Sequence, residues 1–139
     1  MAVSSKMNIL LIDDVVEVRK TTKEMLRKMG FKKIVDVQDP REGLKAIEEN
    51  LATDDCFELI ISNFNMPHIN GIELFQKCQA LTFSKSWQFV LTTASSDQEV
   101  IRDAIQNGIK NIILKPFSQQ ALVEKLVSMY EAPKKKKAA

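Results

Sequence analysis

The chain has 139 residues and a formal charge of +2, with 45% hydrophobic residues, so it is the size of one domain and can bury a core. No apolar run reaches the roughly 20 residues of a spanning helix, and residues 1–7 lack an apolar signal region, so membrane insertion is not expected and a cytoplasmic location is. Four lysines at 134–137 carry +4; subtracting them from +2 leaves −2 on the rest, a poor balance for binding nucleic acid.

Taken in chain order, short apolar runs alternate with helical patterns. Residues 7–12 read as a buried strand that runs into Asp13-Asp14. Val15, Val18, Thr22, Met25, Leu26 and Met29 then recur at helical spacing, and Gly30 offers a stop. Residues 34–38 form a second strand. Asp39-Pro40-Arg41-Glu42 opens a helix with an N-cap acid and a first-turn proline, and Leu44, Ile47 and Leu51 give its inner face. Residues 59–62 are a third strand, apolar enough to be covered on both faces. It runs into Ser62-Asn63-Phe64-Asn65-Met66-Pro67.

After Gly71, Ile72, Phe75, Cys78 and Leu81 mark a third helix. Residues 87–92 form a fourth strand. A helix over 97–107 places Val100, Ile101, Ala104 and Ile105 on one side, and Gly108 closes it. Residues 112–114 are the fifth strand, leading into Lys115-Pro116, a bond that is a candidate for cis. Ser118 caps a last helix carrying Leu122, Val123, Leu126 and Met129. Five strand–helix units predict an α/β fold: a parallel sheet between helices. The expected organisation is an extension at 1–6, a domain at 7–130 and a basic tail at 131–139. Periodicity does not order the strands.

In such a sheet the side chains just past the strand ends share one edge. Asp13, Asp14, Asn63, Thr93 and Lys115 all stand there. Two carboxylates suit a hard divalent cation such as magnesium. Lys115 and the Thr93 hydroxyl suit phosphoryl oxygens. Each has a plainer reading: the acids as helix caps, the lysine and threonine as turn residues, and His68 as an exposed loop residue. Cys56 and Cys78 lack metal-ligand spacing and read as reduced, structural thiols.

These motifs in this order resemble a receiver domain of two-component signalling, the family of the single-domain chemotaxis response regulator. The residues that carry the resemblance are Asp13-Asp14, Asn65-Met66-Pro67 with Gly71, Thr93-Ala94 and Lys115-Pro116-Phe117. It covers about residues 7–130. It implies a doubly wound, flavodoxin-like sheet of order 2-1-3-4-5 flanked by five helices. Asp13 and Asp14 would be the acidic metal pair, Asp14 the more direct ligand, with the backbone carbonyl of Asn65 completing the set. Thr93 would be the switch hydroxyl, Lys115 the phosphate-pairing lysine and Ile112 the switch position, where many members carry an aromatic ring. Asn63 would occupy the phosphoacceptor position.

An amide there is a poor nucleophile and carries no charge. It lowers the site from two negative charges to one and weakens any magnesium site. It also does not mimic phosphorylation, which adds roughly −1.5 to −2. Lys115 is expected to turn to Asp13 or Asp14, leaving one resting conformation.

The resulting reading is a non-enzymatic, single-domain receiver acting by phosphorylation-independent protein binding. Its partners would be a sensor histidine kinase, a phosphotransfer protein, or a downstream target on the face of helix 4, strand 5 and helix 5 (residues 95–107 and 109–130), since only nine residues follow Tyr130. The alternative is an ordinary magnesium-dependent phosphoacceptor in which Asn63 is an engineered block and whose parent catalyses its own phosphorylation and dephosphorylation. A flavodoxin-like cofactor binder would need a Gly-rich phosphate loop, and the chain has only four glycines.

Overall fold

In the computed structural model, residues 5–94 and 96–138 are described, with side chains described through residue 130. Ser95 and most of the expected 1–6 extension lie outside the described residues. Ten elements alternate: β1 (Asn8–Ile12), α1 (Val16–Lys28), β2 (Lys33–Val37), α2 (Pro40–Asn50), β3 (Leu59–Asn63), α3 (Gly71–Gln79), β4 (Gln88–Ala94), α4 (Gln98–Gln106), β5 (Asn111–Lys115) and α5 (Gln119–Ala138). The last helix therefore runs on past residue 130.

All neighbouring strands are parallel, in the order β2-β1-β3-β4-β5. The central strands β1 and β3 are buried along their whole length, as their largely apolar sequences favour. Alternation along each strand splits the core in two. Ile9, Leu11, Leu59, Ile61 and Val90 pack with Leu26 of α1 and Leu122, Leu126 and Met129 of α5. Leu10, Ile12, Ile60, Phe89 and Leu91 pack with Ile47 of α2, Leu74 and Phe75 of α3 and Ala104 of α4.

Local chemistry sets the boundaries. Asp39 caps α2 by accepting from the Arg41 N–H, with Pro40 at the first turn. Asn70 and Glu73 form a reciprocal capping box on α3. Ser118 Oγ accepts from the Ala121 N–H at 3.1 Å. Gly30 and Gly108 end helices with φ of +101° and +95°, where a side chain would be strained. The Lys115–Pro116 bond is cis.

Two side chains depart from expectation. Val15 precedes α1 as its N-cap and is exposed, because the helix starts one residue later. Ile105 is 61% exposed although it falls at helical spacing with Ala104, so the inner stripe of α4 is narrower than its sequence suggests. Both cysteines are free and buried, and burial pushes the Cys78 thiol up to about 12. Among the described residues, no helix is long and apolar enough to cross a membrane.

Candidate functional site

The parallel sheet delivers its strand ends to one edge. Asp13 and Asp14 follow β1, Asn63 ends β3, Thr93 stands one residue from the end of β4, and Lys115 ends β5. Register brings them level: Ile12 pairs with Ser62, Asn63 with Thr92, and Ala94 with Lys115.

Lys115 Nζ donates to Asp13 Oδ2 and to Asn63 Oδ1, each at 2.9 Å. Two strand spacings, roughly 10 Å, separate β5 from β3, so a long side chain is needed to cross β4. The expected turn of the lysine towards Asp13 is therefore observed, and it is shared with Asn63. Asp13 is nearly closed off, at 3% exposure. Its second oxygen accepts from the Val15 N–H at 2.9 Å, so it also shapes the entry to α1. Capping and site geometry coexist in this one carboxylate.

The Asn63 amide completes a network. Its nitrogen donates to Asp14 Oδ1 at 3.2 Å and to the Asn65 carbonyl at 2.9 Å. The reverse orientation would turn an N–H towards the Lys115 ammonium and the amide oxygen towards two other oxygens, so the partners fix the amide. One neutral group thus bridges the two oxygens that face residue 63 from β1 and from the loop after β3. With two acids and one lysine, the cluster carries −1.

Asp13, Asp14 and the Asn65 carbonyl are hard oxygen donors of the kind magnesium takes. An ion there must compete with the Asn63 amide for two of these atoms and with Lys115 for the third group. No group of three or more His, Cys, Asp or Glu able to hold a metal occurs among the described residues.

Two expected residues behave differently. The Thr93 hydroxyl donates to Asp97 Oδ2 at 3.2 Å and makes no described bond to the cluster. Ile112 is half-buried and packs on the core beside α3 and α4. His68 is exposed in the loop before α3, with φ of 73°.

Sequence reasoning did not single out Arg19. Its guanidinium donates to the Asp13 carbonyl at 2.9 Å and to Asp36 Oδ2 at 3.1 Å. Arg19 recurs one turn after Val15 on α1, and that spacing beside an acid on β2 was the available signal. Lys23 reaches the same carboxylate. Partial burial works to raise the Asp36 pKa, but hydrogen bonds and charge from Lys23 and Arg19 outweigh it and hold Asp36 below its ordinary 3.8. A depressed carboxyl stabilises the fold above that value and ceases to as pH falls through the folded pKa. Solvent screening limits the effect to about 1 kcal/mol. Asp36→Asn should therefore melt lower than the parent at pH 7, with the two melting temperatures converging as pH falls below the ordinary carboxylate range; a constant gap would contradict this.

A family profile described as the response regulator receiver domain matches residues 9–127. The chain is similar to the probable chemotaxis protein CheY of Rhizobium etli, at 32% identity over 132 residues, 95% of each chain. It is likewise similar to chemotaxis protein CheY-3 of Vibrio cholerae, at 32% over 128 residues, 92% of this chain and 95% of that one. In fold it resembles Vibrio cholerae CheY4, with a TM-score of 0.76 at 23% identity, over 88% of this chain and 97% of the other. The receiver domain of a Pseudomonas aeruginosa sensor histidine kinase, described with magnesium coordinated in its active-site cleft, gives a TM-score of 0.74 at 19% identity, over 90% and 97%.

Proposed function

We propose a function from one premise: the chain belongs to the response regulator receiver family. It is a CheY-like receiver of two-component signalling. Within that family, Asn63 stands at the phosphoacceptor position, Asp13, Asp14 and the Asn65 carbonyl at the metal positions, Lys115 at the phosphate-pairing position, Thr93 at the switch hydroxyl and Ile112 at the switch side chain. The protein works by binding partners without being phosphorylated.

One observation carries this reading. The Asn63 amide satisfies Asp14, the Asn65 carbonyl and Lys115 together, with no carboxylate at the end of β3. An acyl phosphate forms by attack of a charged carboxylate oxygen, and a neutral amide oxygen held by an ammonium carries no such charge and is a poor nucleophile. Magnesium, when bound, would supply charge neutralisation to an incoming phosphate. Here it would be held weakly by Asp13, Asp14 and Asn65.

The partners are a sensor histidine kinase or phosphotransfer protein and a downstream target. Ile105 of α4 and Leu114 of β5 are exposed at 61% and 42%, and they support docking of the target on the α4–β5–α5 face. The test is a pull-down with the purified chain, with and without a small phosphodonor and magnesium. The same proteins should be recovered in equal amount in both arms. Recovery that depends on the phosphodonor would refute the reading.

The intact assembly of Asp13, Asp14 and Lys115 favours a second reading, in which Asn63 blocks an otherwise ordinary phosphoacceptor site. In that case the Asn63→Asp variant would perform its own phosphorylation chemistry.

A further inference from the structure

Arg27, Lys28, Lys32 and Lys33 stand apart from the site network. The stretch Arg27-Lys28-Met29-Gly30-Phe31-Lys32-Lys33 holds these four cations and no acid. All four are exposed, and none takes part in an ion pair among the described residues. The earlier cations of α1, Arg19 and Lys23, are by contrast both bonded to Asp36. Arg27 and Lys28 lie in the last turn of α1, where a cation suits the helix dipole. Lys32 and Lys33 lie beyond Gly30, so the dipole does not account for them. Lys33 opens the edge strand β2, and a single lysine is enough to guard such an edge.

The topology puts these cations at the pole opposite the site edge. Lys33 starts β2 level with Asn8 at the start of β1, whereas Asp13 and Asp14 follow the end of β1. The length of β1, roughly 17 Å, separates the two poles. The last helix arrives at the basic pole: Val127 of α5 lines one groove with Ser5, Lys28, Met29 and Phe31. Four further lysines, at 134–137, follow it in the chain. The acids nearby are Asp54 and Asp55, both exposed, and Glu58, which lies 4.0 Å from Lys85. Cations outnumber them.

We propose that this pole docks the protein on a membrane surface bearing anionic phospholipid. A cluster of about four to eight Lys and Arg is enough for such docking, and each adds roughly fivefold to the affinity. Nucleic acid fits the pole less well. Seven of its eight cations are lysines, which lack the planar fork that arginine offers to phosphates and base edges. Phe31, the aromatic ring among them, is buried and cannot stack on a base. Docked at this pole, the protein turns its site edge away from the lipid and leaves it open to a partner. The attraction involves no chemistry at residue 63, so it stands apart from the receiver reading.

Sedimentation of the full chain with vesicles tests the proposal. Vesicles of equal parts phosphatidylserine and phosphatidylcholine should carry the protein down at low salt, and vesicles of phosphatidylcholine alone should not. Molar salt should release it, because screening then acts within about 3 Å of each charge. Lys32→Gln together with Lys33→Gln should weaken binding about 25-fold. Lys20→Gln with Lys45→Gln removes the same charge from exposed positions elsewhere on α1 and α2 and should bind within about twofold of the parent. Replacing the lysines at 134–137 by glutamine in the Lys32 and Lys33 variant should abolish what binding remains. Equal sedimentation with phosphatidylcholine alone, equal losses in the two lysine pairs, binding that persists with all six lysines replaced, or tighter binding to duplex DNA than to the anionic vesicles would overturn the proposal.

Discussion

Asn63→Asp should take up one phosphoryl group from a small phosphodonor in the presence of magnesium, whereas the chain with Asn63 should take up none. The new carboxylate oxygen would attack phosphorus as the donor's leaving oxygen departs, giving an acyl phosphate on residue 63. Lys115, already 2.9 Å from the residue 63 side chain, is placed to neutralise an oxygen of the transferred group. The same change should tighten magnesium binding. Even at the dielectric of water, a divalent ion about 4 Å from an added unit charge gains about 2 kcal/mol, roughly thirtyfold in affinity. The Asp14 and Asn65 oxygens are also freed, because the amide that bridged them is gone.

The cost appears without metal. Three carboxylates would then share the pocket with one lysine, and like charges repel. The variant should melt below the parent in chelator and recover as magnesium is added, since a ligand that binds the native state stabilises it. Intact-mass measurement and melting curves across a magnesium titration read both effects. Equal magnesium affinity in the two proteins, or a phosphate adduct on the Asn63 chain, would remove the basis for treating Asn63 as the determining residue.

The second large effect is structural. Gly71→Ala should destabilise the fold by about 3 kcal/mol, at the upper end of overpacking costs. Gly71 opens α3 where the helix meets the end of β3, and its N–H donates to the Phe64 carbonyl at 2.9 Å. A Cβ there would press on Leu91 Cδ1 and lie 2.7 Å from the Asn63 carbonyl oxygen and 3.1 Å from Phe64 Cα. Two of these three atoms are backbone and cannot turn aside. Relief requires moving α3 or the strand end that presents Asn63.

Gly43→Ala supplies the contrast. Its Cβ would meet Ile12 Cδ1 at 2.6 Å and Ile12 Cγ1 at 3.1 Å, but both are side-chain atoms and neither is backbone. Alanine in a helix interior also gains about 1 kcal/mol over glycine. Urea denaturation should place Gly43→Ala within about 1 kcal/mol of the parent and Gly71→Ala well below it. Similar midpoints for the two variants would mean that the α3–β3 approach is looser than its geometry indicates.

The elements were legible in the sequence because their signals are local. Unbroken runs such as Leu59-Ile60-Ile61 specify buried strands, and Asp39-Pro40 and Ser118 specify helix starts. The strand order was legible only through resemblance, since pairing β1 with both β2 and β3 is a long-range choice. Convergence of Asp13, Asp14, Asn63 and Lys115 followed once a parallel sheet was expected. The bonding among them did not. Which oxygen of Asp13 meets Lys115, or which atom of Asn63 meets Asp14, depends on rotamers set by packing across four strands. Asp97 shows the same limit. It stands in the structure as the N-cap of α4, yet its side chain serves Thr93, a choice decided by three-dimensional neighbours. Ile105 was misplaced because helical spacing locates a stripe but not its width.

Both cysteines lie within the packed interior, and the Cys78 thiol is held far from ionisation at neutral pH. A maleimide dye would thus find no accessible native target in the folded protein. Replacing exposed Ile105 by cysteine would create a single addressable handle on α4, and fluorescence from a label there could follow partner engagement in real time without removing either native sulfur.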